Sequence, residues 1–208
     1  MTTCDILLLG VGGQGVVTLG DLIARAALSA EVPVAFVPTK GMAQRGGFVK
    51  VEIRLGHDAT GPRIGAHGAD LILAMERSEA LKGIPFAKPG ARFVLFDHVW
   101  EPTGVTLGED AYPSQEDVLT ALRAACNEVV RLDPKDRPVF HDQLVAANIF
   151  ALGALSGAEA LRALIDPQIV QEAVRKRWPR VAEGNLVAFH AGYVQANDRE
   201  GLSDGGAA

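Results

Sequence analysis

Short apolar runs broken by glycine fill the first half of the chain, and helical periodicities fill the second. Residues 5–9 form an apolar strand pattern that ends directly on Gly10-Val11-Gly12-Gly13-Gln14-Gly15. From Gln14 to about Ala30, Val17, Leu22, Ile23, Ala26 and Ala27 recur at three- and four-residue intervals, which predicts a helix packed on a sheet. Pro33 stops that pattern, and residues 34–37 read as a second strand. Such a strand–helix–strand opening predicts parallel strands joined by a right-handed crossover.

The next stretch, Pro38-Thr39-Lys40-Gly41-Met42-Ala43-Gln44-Arg45-Gly46-Gly47, has too much glycine and too little periodicity for an element interior, so it predicts a loop. Residues 49–55 alternate apolar and charged side chains, the pattern of a half-buried strand with one wet face. Residues 56–68 read as a turn-rich connection and residues 69–74 as a buried strand. A helix over 78–83 follows, and Lys88-Pro89-Gly90 reads as the turn into a strand over 92–96. Residues 105–107 suggest a short strand; Ser114, with Asp117 three positions on, predicts the N-cap of a helix continuing over 118–126. Residues 128–132 complete the strand series. Beyond Asp133 the pattern turns helical over 143–155, 158–165, 167–175 and 183–197, with Asp166-Pro167 as a cap and first helical residue.

These elements predict an α/β, Rossmann-like fold with a mostly parallel open sheet, flanking helices and a C-terminal helical region. One domain is expected over 1–197, with a sheet-forming part at 1–132, a helical part at 133–197 and a disordered tail at 198–208. The length of 208 residues suits one such domain better than two. A hydrophobic content of 48% with 22% charged residues argues against disorder over most of the chain.

Charge and cysteine usage narrow the partners. A net charge of −5 gives no electrostatic footprint for nucleic acid or an anionic membrane. Cys4 and Cys126 lack CxxC spacing and a nearby histidine pair, so they predict buried reduced thiols, with neither a disulfide framework nor a metal site. Residues 1–9 fit neither a signal peptide nor a membrane span, and a cytoplasmic location is the expectation.

The chemistry concentrates in two glycine loops. A strand ending on G-x-G-x-x-G and opening a helix turns backbone N–H groups toward an anion, which makes Gly10, Gly12, Gly13, Gln14 and Gly15 a candidate ligand or interface surface. The same glycines also suit a tight turn with close helix-to-strand packing. A nicotinamide site needs an acidic residue after the second strand, where this chain has Pro38, Thr39 and Lys40. In the second loop, Gln44 and Arg45 stand among Gly46, Gly47 and other small residues, so Arg45 could offer its planar fork to a carboxylate or phosphate, or be an exposed loop charge. In an open parallel sheet both loops fall near the carboxyl edge, where ligands bind at a switch point.

Other candidates read as structural. His57 and His67 flank a turn-rich segment without a paired carboxylate or metal spacing, and His98, His141 and His190 stand no better. Ser78 and Glu79 belong to a helix start. Asn148 falls on one predicted helix face with Leu144, Ala147, Ala151, Leu152 and Leu155, the setting of a buried, satisfied amide. Trp100, Trp178 and Tyr193 suit core packing, with a partner interface as the other use. No catalytic residue is assigned.

Leu8-Leu9-Gly10-Val11-Gly12-Gly13-Gln14-Gly15-Val16-Val17-Thr18, followed by Lys40-Gly41-Met42-Ala43-Gln44-Arg45-Gly46-Gly47, resembles the gamma-type domain of pyruvate and other 2-oxoacid:ferredoxin oxidoreductases. Gly68-Ala69-Asp70, Lys88-Pro89-Gly90, the Asn148 helix and Asn185-Leu186-Val187-Ala188-Phe189 extend the likeness to the beta-subunit family of the indolepyruvate type, over about residues 4–195. The resemblance implies a complex that oxidatively decarboxylates a 2-oxoacid of the indolepyruvate or arylpyruvate kind, passes electrons to ferredoxin and releases an acyl-coenzyme A. It places thiamine diphosphate, magnesium and the iron–sulphur clusters in a larger partner subunit, and implies no cofactor held by this chain alone. Coenzyme A at the subunit boundary, against the first glycine loop and Gln44-Arg45, is the corresponding expectation. Two other readings stay open: an autonomous NAD-dependent dehydrogenase and a purely structural scaffold subunit.

Overall fold

The computed structural model describes residues 2–41, 46–58 and 61–197. Its main sheet has six strands in the order β2-β3-β1-β4-β5-β6, formed by β1 (Cys4–Val11), β2 (Val34–Lys40), β3 (Phe48–Leu55), β4 (Ala69–Ala74), β5 (Ala87–Phe96) and β6 (Glu128–Leu132). β1, β4, β5 and β6 pair in parallel, whereas β3 is antiparallel to both of its neighbours, β1 and β2. The helices are α1 (Val16–Ser29), α2 (Arg77–Ala80), α3 (Thr103–Thr106), α4 (Gln115–Ala125), α5 (Ala147–Ser156), α6 (Glu159–Arg162), α7 (Pro167–Arg177) and α8 (Ala182–Asn197). A small antiparallel pair, β7 (Val139–Phe140) with β8 (Gln143–Leu144), stands apart from the main sheet.

Successive side chains of a strand point to opposite faces, and that alternation builds two cores. Ile6 and Leu8 of β1, with Leu71 and Leu73 of β4 and Val94 and Phe96 of β5, pack under α1, α5, α7 and α8. Leu7, Leu9, Ile72, Phe93 and Leu95 meet Ala80, Val118, Leu119 and Leu122 on the other face. β1 is therefore buried on both faces along its whole length, as its near-continuous apolar sequence requires. The helical part is continuous with the first core. α5 and α8 cross so closely at Gly153 and Gly192 that a methyl on either residue would run into the carbonyl of Phe189 or Phe150.

β1 and β2 run parallel, as expected, but do not pair, because β3 inserts between them. Several other expectations are corrected. β2 runs on through Pro38, Thr39 and Lys40, which pair with Val51, Lys50 and Val49. Proline is tolerated there because β2 is the edge strand and no further partner needs its missing N–H. The charged face of β3 is not wet. Glu52 is buried, its carboxylate accepting from the Ile64 N–H at 3.1 Å and from Arg63 Nη1 at 2.7 Å, so the connection after β3 folds back over the face.

Lys88-Pro89-Gly90 lies within β5; Gly90 takes a left-handed φ of 87° beside a register shift between Ala69 and Leu71 of β4, which is how the strand absorbs the turn-like residues. The expected strand at 105–107 is replaced by α3, whose Thr106 N–H reaches the Pro102 carbonyl and which ends on Gly108 at φ 76°. The expected helix over 143–155 begins only at Ala147. His141 and Asp142, both left-handed at φ 48° and 61°, make a two-residue turn that folds Gln143 and Leu144 back onto Val139 and Phe140. The expected helix over 78–83 is the single turn α2 followed by a 3-10 segment, Leu81–Phe86, that contains Pro85.

Candidate functional site

The carboxyl ends of β1 and β4 lie side by side, and the chain leaves them for opposite faces of the sheet. α1 follows β1 into the first core, while Ala80 of α2, after β4, packs in the second. This divergence marks the switch point of an open α/β sheet, the usual place for a ligand.

Both described pieces of the glycine loops meet here. The Gly12 N–H donates to the Gly47 carbonyl at 2.8 Å, and the Gly46 N–H donates to the Gly12 carbonyl at 3.4 Å. Gly13 and Gly15 adopt left-handed φ values of 105° and 79°, and the space where a Gly13 side chain would stand is open. Gln44 and Arg45 lie outside the described residues, so the expectation of an arginine clamp stays an expectation.

Gln14 has a definite structural task. Its Oε1 accepts from the Val11 N–H at 3.0 Å and its Nε2 donates to the Met75 carbonyl at 2.9 Å, so one amide spans the ends of β1 and β4. Gly10 makes room for it, since a methyl there would come within 2.7 Å of Gln14 Oε1 and 2.8 Å of Val16 Cγ2. The role of Gly10 is thus close packing against Gln14 and Val16. The intervening β3 stands against a dinucleotide site. A residue at the end of β2 stands two strand spacings from β1, roughly 10 Å away, where the ribose-binding acid of a dinucleotide fold would be one spacing off.

Two helix starts converge beside the glycine crossing. α1 begins at Gly15 and α5 at Ala146, and neither N-cap residue supplies a side-chain hydrogen bond. By contrast Glu76, Ser114 and Asp166 cap α2, α4 and α7 with their own oxygens. Asn148, in the first turn of α5, abuts Gly15: a methyl on Gly15 would come within 2.5 Å of its Nδ2. The amide is half-buried, with Oδ1 accepting from the Ile149 N–H at 3.0 Å, and Leu144 is exposed; the expected buried face with Leu144 is thereby corrected. First-turn N–H groups carry the positive end of the helix dipole; at α5 one of them, Ile149, is taken by Asn148, whereas the first turn of α1 has no side-chain cap.

The opposite wall comes from the excursion after β5. Glu76, fully buried, accepts from the Trp100 N–H at 3.2 Å, the Glu79 N–H at 2.8 Å, the Ser78 hydroxyl at 2.7 Å and the Tyr112 hydroxyl. Burial and that carboxylate push the Tyr112 phenol well above its usual range, so it stays a donor. Trp100 is 46% exposed, against the expectation of core packing, and its indole Nε1 edge rests on Gly46. Trp178 and Tyr193 do pack against the first core. Beneath this wall Asp97 is clamped between Arg77 Nε at 2.6 Å and Arg131 Nε at 2.7 Å. The sequence reading missed Glu76 and Asp97 as anchors; each is an acidic residue that closes an apolar run, 71–75 and 93–96, which was the available signal.

The histidines stand outside this constellation. His57 Nε2 pairs with Asp5 at 2.9 Å and His67 Nδ1 with the Ala87 carbonyl at 3.1 Å. Both cysteines are free and buried, as expected. Among the described residues no group of histidine, cysteine, aspartate or glutamate is arranged to hold a metal, and no helix is long and apolar enough to cross a membrane.

The family model for pyruvate ferredoxin/flavodoxin oxidoreductase matches residues 5–195. Archaeoglobus fulgidus has a relative named indolepyruvate oxidoreductase subunit IorB, 34% identical over 92% of this chain and 94% of its own. The Pyrococcus horikoshii protein of the same name is 29% identical over 95% of this chain and 98% of its own. Pyruvate oxidoreductase subunit PORC of Thermotoga maritima shares the fold, with a TM-score of 0.66 at 18% identity over 93% of this chain and 96% of that one. A 2-oxoglutarate:ferredoxin oxidoreductase of Magnetococcus marinus, solved with 2-oxoglutarate, coenzyme A and succinyl-CoA bound, contains the fold within a longer chain. There the TM-score is 0.65 at 20% identity, covering 95% of this chain and 32% of that one. The chain belongs to the pyruvate ferredoxin/flavodoxin oxidoreductase family, as a subunit of a 2-oxoacid oxidoreductase complex.

Proposed function

We propose that this subunit completes the active assembly of an indolepyruvate- or arylpyruvate-type complex by presenting its glycine crossing to a larger subunit. That partner carries thiamine diphosphate, magnesium and the iron–sulphur clusters and delivers electrons to ferredoxin. The Gly12–Gly47 crossing carries the reading, because it sets the open backbone at Gly13 beside two helix starts whose N-cap residues supply no side-chain hydrogen bond. Preorganised N–H groups in this arrangement bind anions without reorganisation. Coenzyme A, a polyanion, is the ligand that fits them, with Gly13, Gly15 and Gly46 letting the backbone approach its phosphates and Arg45 adding a charge at the boundary. The thiamine chemistry and most of the substrate pocket lie in the partner, and this chain orients the acyl acceptor.

Co-expression with the larger subunit tests this. A stable heteromer showing 2-oxoacid- and coenzyme A-dependent reduction of a low-potential acceptor is expected. Full activity of this chain by itself would sink the proposal, and tight NAD(H) binding to the isolated chain would favour the dehydrogenase reading instead.

A further inference from the structure

We propose that Trp100 is a specificity-determining residue of the complex, its indole forming a wall against which a planar aromatic ring of an anionic substrate rests. Three observations carry this. Trp100 is a large aromatic side chain left 46% exposed, whereas Trp178 and Tyr193 are packed against the core. Its backbone is also anchored. Its backbone N–H donates at 3.2 Å to Glu76, a fully buried carboxylate that Ser78, Glu79 and Tyr112 bind at the same time. Finally, its Nε1 edge lies on Gly46, one hydrogen bond from Gly12, so the indole stands at the rim of the glycine crossing.

The contact with Gly46 also explains a requirement for glycine. A methyl there would come within 3.2 Å of Trp100 Nε1, and the residue sits at a left-handed φ of 72°. Aromatic side chains held in place supply large contact area at little entropic cost, and stacking on a planar ring tolerates many ring types. The shared chemistry of the occupant is a planar ring joined to an anion. Two substrates of the proposed reaction have it, the adenosine 3′-phosphate part of coenzyme A and an aryl 2-oxoacid.

The inference rests on the proposed reaction, and the experiment separates the two. The complex is assembled with the larger subunit and either wild-type chain, Trp100→Ala, Trp100→Phe or Leu107→Ala, the last removing another exposed apolar residue of the same excursion. A wild-type complex without coenzyme A-dependent 2-oxoacid oxidation overturns the underlying reading, and the inference falls with it. Given wild-type activity, Trp100→Ala is expected to raise KM about tenfold for one ring-bearing substrate with kcat within about twofold, as loss of one stacking contact of ~1–3 kcal/mol implies. Trp100→Phe is expected to restore most of that loss.

The substrate whose KM moves identifies the ring. If it is adenine, 4′-phosphopantetheine as acceptor erases the difference between wild type and Trp100→Ala. If it is the oxoacid ring, phenylpyruvate loses affinity and pyruvate does not. Unchanged KM for both substrates, or failure of phenylalanine to rescue, overturns the inference alone. Equal weakening of subunit assembly by Trp100→Ala and Leu107→Ala with no KM change does so too, and makes the excursion a protein contact.

Discussion

Gln14 donates its side-chain amide to the carbonyl of Met75 at 2.9 Å and thereby joins the ends of two neighbouring parallel strands where the sheet would otherwise open. The same side chain accepts from Val11, so its removal strands a donor and an acceptor together. Gln14→Leu is expected to lower stability by about 2 kcal/mol. Gln14→Glu keeps the Val11 bond and sets a carboxylate against a carbonyl, so its cost should shrink when the acid is protonated. Urea denaturation at pH 7 and pH 4.5, referred to wild type at each pH, distinguishes the two.

Gly15→Ala meets two penalties, a left-handed φ of 79° and the Asn148 amide. A loss of about 1–2 kcal/mol is expected from the backbone alone. Pairing it with Asn148→Ala should return the steric part and leave the conformational part, so the double mutant is more stable than the sum of the single changes. A double-mutant cycle by thermal unfolding reads that difference.

Gly192→Ala and Gly153→Ala strike backbone carbonyls, which cannot rotate away as a side chain can. Forcing α5 and α8 apart is expected to cost at least ~3 kcal/mol, the upper part of the overpacking range. Gly13→Ala, by contrast, meets no neighbouring atom and bears only the strain of its φ of 105°. The expected order of melting temperatures is wild type, then Gly13→Ala, then either helix variant; a helix variant as stable as Gly13→Ala would contradict the close crossing.

Burial pushes the Cys4 thiol far above its ordinary range, with Asp70 and Asp5 adding to the effect, and burial also raises Cys126. Below about pH 8.5 each thiol is protonated whether the chain is folded or unfolded. As pH rises further, the Cys4 thiol ionises in the unfolded chain but not in the folded one, so the unfolded state binds fewer protons and stability falls. The expected slope approaches about −1.4 kcal/mol per pH unit for Cys4, with Cys126 acting in the same direction. Cys4→Ala should flatten the decline between pH 8.5 and 10, measured by urea unfolding against wild type. A thiol reagent at pH 8 should react with neither cysteine until the chain unfolds.

Much of this molecule can be read along the chain, because the signals are local. The apolar run of residues 5–9, the glycines after it and the three- and four-residue spacing of Leu22, Ile23, Ala26 and Ala27 sufficed for β1 and α1. Ser114 and Asp166 marked the starts of α4 and α7, since a cap is a contact between residues two or three apart. The pairing of the two glycine loops as one candidate region was also visible, although Gln44 and Arg45 fall outside the described residues. What lay out of reach depends on partners distant in sequence. No local pattern says that β3 inserts between β1 and β2, since strand order is set by which faces the whole chain can bury. A charged strand face is wet or dry according to what folds over it, so Glu52 and Arg63 could not be assigned before the 56–68 connection had a path. The hairpin at His141-Asp142 carries neither asparagine nor glycine and declares itself only in its backbone. Likewise Gln14 reads in sequence as one more member of a ligand loop. Only the tertiary structure, by bringing Met75 within 2.9 Å, makes it the brace between the ends of β1 and β4.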